Sequence, residues 1–241
     1  MPENKKVSVV IAAYNEEPRI AMVLSVLEGH PLVGEVIVVN DGSIDKTSEI
    51  AKRFNVVLIE NKINMGKTLS IKRGLEKSKN EVILFLDADL VGLTKQNIND
   101  LVDPVLDGQV EWTISRRSNS YGLVKYPLVK IDWISGERAI KKYLLNDPLI
   151  WSKPELGYSL ETLMNKSLID RGATFKSINL PNLKTVFKII KFGFFKGLYY
   201  ELKMYRQIFQ ILPLHKVIQQ FLKMTYLNEK KQKIKMADIK G

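Results

Sequence analysis

Residues 7–17 read VSVVIAAYNEE, a run of β-branched and small side chains that stops at a tyrosine, an asparagine and two acids. A short, nearly continuous apolar run of this kind predicts a strand buried on both faces, and the polar break predicts its end. The pattern recurs at EVIVVN (35–40), which meets DGSIDKT, and at NVVLIE (55–60), which meets NKINMGK. It recurs once more at EVILFLD (81–87), which continues as ADL. Helical patterns separate these runs: one reaches to about residue 28, a second starts within DGSIDKTSEIAKRF, and a third covers KTLSIKRGLEKS (67–78). Strands alternating with helices predict a parallel sheet covered on both faces, a doubly wound α/β domain. Such sheets bind ligands beyond the carboxyl ends of their strands, so the four polar strand ends are where chemistry is expected.

Composition bounds the rest. The chain has 241 residues, 45% of them hydrophobic and 26% charged, ample for one sizeable core. It contains no cysteine, which excludes disulfides and thiolate metal sites. The start, MPENKKVSVV, shows no signal-peptide pattern, and no apolar run is long enough to span a bilayer. An intracellular, cytoplasmic protein is therefore expected. The net charge of +11 is concentrated: from Lys184 onward there are 13 Lys/Arg against three acids, Glu201, Glu229 and Asp238. A neutral body with a basic tail points to an anionic neighbour or to a solvated basic face.

Past residue 110, WTISRR and TFKSINL (174–180) are expected to be strands, whereas DWISGERAIKKYLL (132–145) and residues 155–172 are expected to be helices. Residues 183–212 mix aromatics with lysines at helical spacing, and the last dozen residues are expected to fray. The only two histidines, His30 and His215, are read as structural or solvated.

One stretch suggests a competing chemistry. Gly66-Lys67-Thr68 matches the end of a phosphate-binding P-loop, but that motif needs glycine at position 61, where this chain has Asn61. Taken singly, the other strand ends are also ambiguous. YNEE can cap a helix, NDGS can be an ordinary turn, and DAD can be a surface acidic turn.

Taken together and in order, VSVVIAAYNEE, EVIVVNDGSIDKTSEIA, NKINMGKTLSIKRGL and EVILFLDADL resemble the nucleotide-sugar domain of family 2 glycosyltransferases with the GT-A fold. The resemblance covers residues 5–110. DADL followed by a helix ending in DPVLDG is also loosely similar to glucosyl-3-phosphoglycerate synthases and polyprenyl-phosphate sugar synthases. Two positions depart from the family pattern: Ala12, where proline is common, and Asn40, where aspartate is frequent.

The resemblance implies a doubly wound mixed sheet with a basic, amphipathic helical extension at the C-terminus. It implies a GT-A domain over 1–182, divided into a nucleotide-sugar half (1–110) and an acceptor half (111–182), with the tail at 183–241. It would place Ala13, Tyr14 and Glu16 around the base and ribose, with Asp41 accepting from a uracil imide. Asp87 would reach the ribose, and Lys67 would sit as a point charge beside the diphosphate. Asp89 would hold Mg2+ or Mn2+, hard cations that favour carboxylate and phosphate oxygens. Arg117, or its neighbour Arg116, would clamp a phosphate. For a hydroxyl acceptor, Glu161 or Glu137 is the candidate general base; an ionised phosphate acceptor needs none.

The resemblance further implies a UDP-sugar donor and an acceptor that is lipid-linked, such as a polyprenyl phosphate, or otherwise phosphorylated. A soluble relative acting on a small phosphorylated acid is the alternative, and a non-catalytic scaffold on the same fold is a more distant one. The tail is expected either to lie on an anionic membrane surface or to pack on the domain or in an oligomer interface. Nucleic-acid binding is not expected, because no recognition module accompanies the charge.

Overall fold

A computed structural model describes residues 5–116, 135–156, 159–185 and 193–238. The four strands expected in the first hundred residues form as β1 (Val7–Ala13), β2 (Val33–Asn40), β3 (Val57–Glu60) and β4 (Val82–Phe85). They alternate with α1 (Ile20–Leu27), α2 (Thr47–Ala51) and α3 (Lys67–Lys77). β1 lies between β2 and β4 and runs parallel to both, with Ala13 opposite Asn40 and Val10 opposite Phe85. β3 continues the sheet as a half-exposed parallel edge beyond β2. The chain thus winds outward from β1 to β3 on one side and returns to β4 on the other. That reversal, between β1 and β4, is the switch point at which open α/β sheets bind ligands.

The second half completes the sheet through β5 (Leu90–Val91), α4 (Lys95–Leu106), β6 (Trp112–Arg116) and β7 (Arg138–Lys141). Two short 3-10 turns (142–146 and 148–151) then lead to α5 (Ser159–Asp170), β8 (Phe175–Asn179) and β9 (Lys184–Thr185). Seven of the described strands share one sheet in the order β3-β2-β1-β4-β7-β6-β8. β7 is antiparallel to both neighbours, so the sheet is mixed.

β7 corrects the expectation of a helix over 132–145. Residues 138–141 are extended and only 142–146 turn, as a 3-10 segment, while 132–134 lie outside the described residues. Ala139 and Ile140 are wholly buried between β4 and β6. The vacant slot in the sheet, with its ladder hydrogen bonds, outweighs the weak helical preference of RAIKKYLL.

Alternate side chains of the central strands feed two cores. Val7, Val9 and Ile11 pack with α1 and α4 on one face. Val10, Ile37 and Phe85 pack with Ile71 of α3 and Leu160, Met164 and Leu168 of α5 on the other. Each such side chain stabilises the fold by about 1.5–3 kcal/mol on burial.

The basic tail forms two helices, α6 (Phe194–Ile211) and α7 (Leu214–Asp238). Ile208, Leu212, Val217, Phe221 and Met224 are buried in the same core as α5, so one face of each helix packs on the domain. No described helix is long and apolar enough to cross a membrane.

Candidate active site

The first two strand ends are tied to each other. The backbone N–H of Asn15 donates to Ser43 Oγ (3.0 Å), and the Asn15 side-chain oxygen accepts from Ile44 N (3.0 Å). Glu16 N donates to Thr47 Oγ1 (2.8 Å), Glu17 N donates to an Asp45 oxygen (3.0 Å), and Glu17 accepts from Lys46 N (3.1 Å). Asn15 takes a left-handed backbone (φ 54°), a conformation asparagine tolerates better than most residues. Partial burial by itself would raise the pKa of Asp45, but hydrogen bonds from the Thr47 hydroxyl and from backbone amides hold it below the usual carboxylate range. The YNEE and SIDKT segments therefore brace one another, so that their exposed members stand on a fixed frame.

Asp41 performs the equivalent task for the third strand end. It is 3% exposed, and its carboxylate accepts from Asn61 Nδ2 (2.7 Å), Met65 N (2.8 Å) and Gly66 N (2.9 Å). Asn61 also donates to Ser70 Oγ (3.0 Å) and accepts from Arg73. This arrangement decides the P-loop question. Two amides that a phosphate would need at the start of α3 are already taken by a carboxylate, and the position where the motif wants glycine is a buried asparagine hub. Gly42 makes the clamp possible. It has φ +72°, and a Cβ there would lie 2.6 Å from the Ile63 carbonyl carbon. Gly42→Ala is therefore expected to destabilise the protein by about 1–3 kcal/mol in urea denaturation; an unchanged midpoint would refute the clamp.

The third and fourth strand ends meet over α5. Lys67 Nζ, one third exposed, is bonded to Asp87 Oδ1 (2.7 Å) and to Glu161 Oε1 (2.6 Å). Burial opposes the charge on Lys67, but the two acids outweigh it and raise its pKa above that of an ordinary lysine. The other Glu161 oxygen is buried with no hydrogen-bond partner among the described residues. Arg138, 1% exposed, lies in the same cluster and donates to Asn165 Oδ1 (3.0 Å) and to the Ser135 carbonyl. Burial pushes its pKa down to about 10, against the opposing charges of Glu161, Glu137 and Asp87. Lys67, Asp87, Gly136, Arg138 and Glu161 line a small cleft whose remaining wall is apolar. Gly136 is required there, because a Cβ would fall 2.4 Å from Asp87 Oδ1.

The remaining expected residues fall as follows. Ala13 is buried and its carbonyl accepts from Asp41 N (2.8 Å), whereas Tyr14 is 46% exposed at the strand end. Glu16 is 9% exposed and paired with Arg19 (2.8 Å). Asp89 is half-buried, and the chain after it is pinned where β5 pairs antiparallel with β9, Leu90 opposite Thr185. That ribbon ties residues 184–185 to the segment that follows Asp89. Glu137 is wholly buried and accepts from the Ser115 and Ser135 hydroxyls (2.7 and 2.5 Å). It does not line the cleft, whereas Glu161 does. Arg117 lies outside the described residues. Sequence reasoning missed Arg138 and Asn61; neither has a spacing signal, since each acquires its role from partners distant in the chain. Among the described residues no group of three or more His, Asp or Glu side chains is placed to hold a metal.

Comparison with known proteins gives this geometry a family. The chain is 36% identical over 108 residues to a dolichyl-phosphate beta-glucosyltransferase of Trichomonas vaginalis, covering 39% of this chain and 33% of the relative. It is 38% identical over 107 residues to the human dolichyl-phosphate beta-glucosyltransferase, covering 38% and 32% respectively. The chain thus matches about a third of the length of these relatives. A crystal structure of glucosyl-3-phosphoglycerate synthase from Mycobacterium tuberculosis, in complex with Mn2+, UDP and glucosyl-3-phosphoglycerate, shares the fold. It superposes with a TM-score of 0.68 at 24% identity, covering 86% of this chain and 78% of that one. The family model of glycosyl transferase family 2 matches residues 8–154, through all four strand ends, and the chain belongs to that family.

Proposed function

We propose that the protein transfers a sugar from a UDP-sugar to a phosphorylated acceptor, and that Asp89 would help hold a divalent cation that supplies positive charge to the donor diphosphate. The observation that supports this most is the convergence at the switch point. The ammonium of Lys67 is held charged between Asp87 and Glu161, next to the DAD turn and the braced YNEE and NDGS loops. A diphosphate leaving group needs fixed positive charge where its own charge develops, and Lys67 offers a point charge of that kind. Asp89, half-buried and following β4, suits a hard cation bound through one or two carboxylates, with phosphate oxygens and water completing its shell. Mg2+ or Mn2+ bound there would neutralise the departing diphosphate.

Tyr14, exposed above the β1 end, is the side chain best placed to cover the base, with Ala13 as the small residue beneath it. Asp41 already holds three donors, so its contribution to uracil recognition is made as part of the clamp. If the acceptor is a hydroxyl, Glu161 is favoured over Glu137 as its base, because it lines the cleft and Glu137 does not. The curated relatives named above are dolichyl-phosphate glucosyltransferases, which favours a lipid-linked phosphate as acceptor and glucose as the sugar.

The test is a thermal-shift panel of UDP, GDP and ATP with and without MnCl2, followed by hydrolysis of the UDP-sugars. UDP is expected to raise the melting temperature only when Mn2+ is present. Stabilisation by ATP alone would overturn the reading.

A further inference from the structure

Among the described residues, the two C-terminal helices are apolar on two sides, one buried against the domain and one exposed. On α6, Phe195, Tyr199, Leu202 and Phe209 are 85, 61, 60 and 43% exposed. At about 100° per residue these four fall within a sector of about 80°, on the side opposite the buried Ile208. Ile218, Leu222 and Tyr226 make a second exposed row on α7, each one turn from the next. Exposed apolar side chains in ordered rows mark an interaction surface rather than chance exposure.

The charge around these rows selects the partner. Lys196, Lys203 and Arg206 on α6 and Lys216 and Lys223 on α7 are all exposed. Between residues 194 and 227 only Glu201 is acidic. A second copy of the chain facing this surface would bring like charges together, and a nucleic acid would leave the aliphatic Leu202, Ile218 and Leu222 without a use. Aromatic and aliphatic residues flanked by cations match a lipid interface, where rings enter the headgroup boundary and Lys/Arg meet anionic headgroups.

We infer that the outer faces of α6 and α7 dock the protein on an anionic bilayer surface, while their inner faces hold it against α5. This goes beyond the transferase reading and stands whatever the acceptor is.

Full-length protein is co-sedimented with vesicles of pure phosphatidylcholine and with vesicles of phosphatidylcholine mixed with phosphatidylglycerol. A Phe195→Gln/Leu202→Gln variant and a Lys196→Glu/Lys203→Glu variant are run in parallel. Retention of the wild-type melting temperature shows that each is folded. Wild type is expected to pellet with the anionic vesicles, and each variant to bind them at least about tenfold more weakly. Wild type that stays in the supernatant with every vesicle overturns the inference. So does pelleting that both folded variants retain. Self-association by sedimentation velocity, abolished in the Phe195/Leu202 variant, would assign the face to a second copy instead.

Discussion

Asp89→Asn is expected to reduce metal-dependent turnover of the sugar nucleotide by about 10²–10³-fold, the loss of several kcal/mol of charge neutralisation at the leaving diphosphate. The substitution keeps size and polarity at a half-buried turn, so the fold should be unaffected. The same variant should lose the Mn2+-dependent part of the UDP thermal shift. The paired measurement separates a metal ligand from a merely structural acid, because a structural role would lower the melting temperature without ligand and leave the Mn2+ response intact. Turnover equal to wild type would remove Asp89 from the metal role. Asp87→Asn should behave differently: it removes the negative charge that faces Lys67 (2.7 Å) and so should disturb the cluster even without metal.

Arg138→Met should cost about 3–5 kcal/mol of stability, because it strands buried acids that the guanidinium now offsets. Arg138 is 1% exposed and shares its surroundings with Glu161, Glu137 and Asp87, so no water replaces its charge. A charge is expensive to bury, as the drop in its pKa to about 10 shows, and the cost is sustained only while its acidic neighbours remain. Two controls sharpen the result. Arg138→Lys keeps the charge but not the planar fork that reaches both Asn165 and the Ser135 carbonyl, so it should recover only part of the loss. Adding Glu161→Gln to Arg138→Met removes one stranded charge and should restore stability, a coupling that a double-mutant cycle in urea would register. If Arg138→Met unfolds at the wild-type midpoint, the cluster carries no structural weight.

The cluster also connects fold to chemistry. Lys67 comes from the start of α3, Asp87 from just beyond β4, Glu161 from α5 and Arg138 from β7. Lys67, Glu161 and Arg138 are thus carried by helices and a strand that pack around one cleft, and Asp87 stands two residues past the end of β4. Gly136, two residues before β7, allows the closest approach to Asp87.

Much of this was legible in the residues alone, and for a local reason. Each of β1 to β4 is a short β-branched run closed by its own polar residues, so strand, strand end and candidate ligand sit within a few positions of one another. Tyr14, Asp41, Lys67, Asp87 and Asp89 could therefore be named as strand-end residues before any topology was known. What the sequence could not state was decided across long separations. Glu161 meets Lys67 across 94 residues, and Asn61 becomes the hub of the Asp41 clamp only when α3 folds back over the strand end. β7 is the plainest case. RAIK reads as helix in isolation and becomes strand because β4 and β6 leave a gap whose hydrogen bonds and apolar walls only an extended segment can satisfy. Local pattern determined which residues stand at the edge of the sheet. Tertiary packing alone determined which of them share a charge.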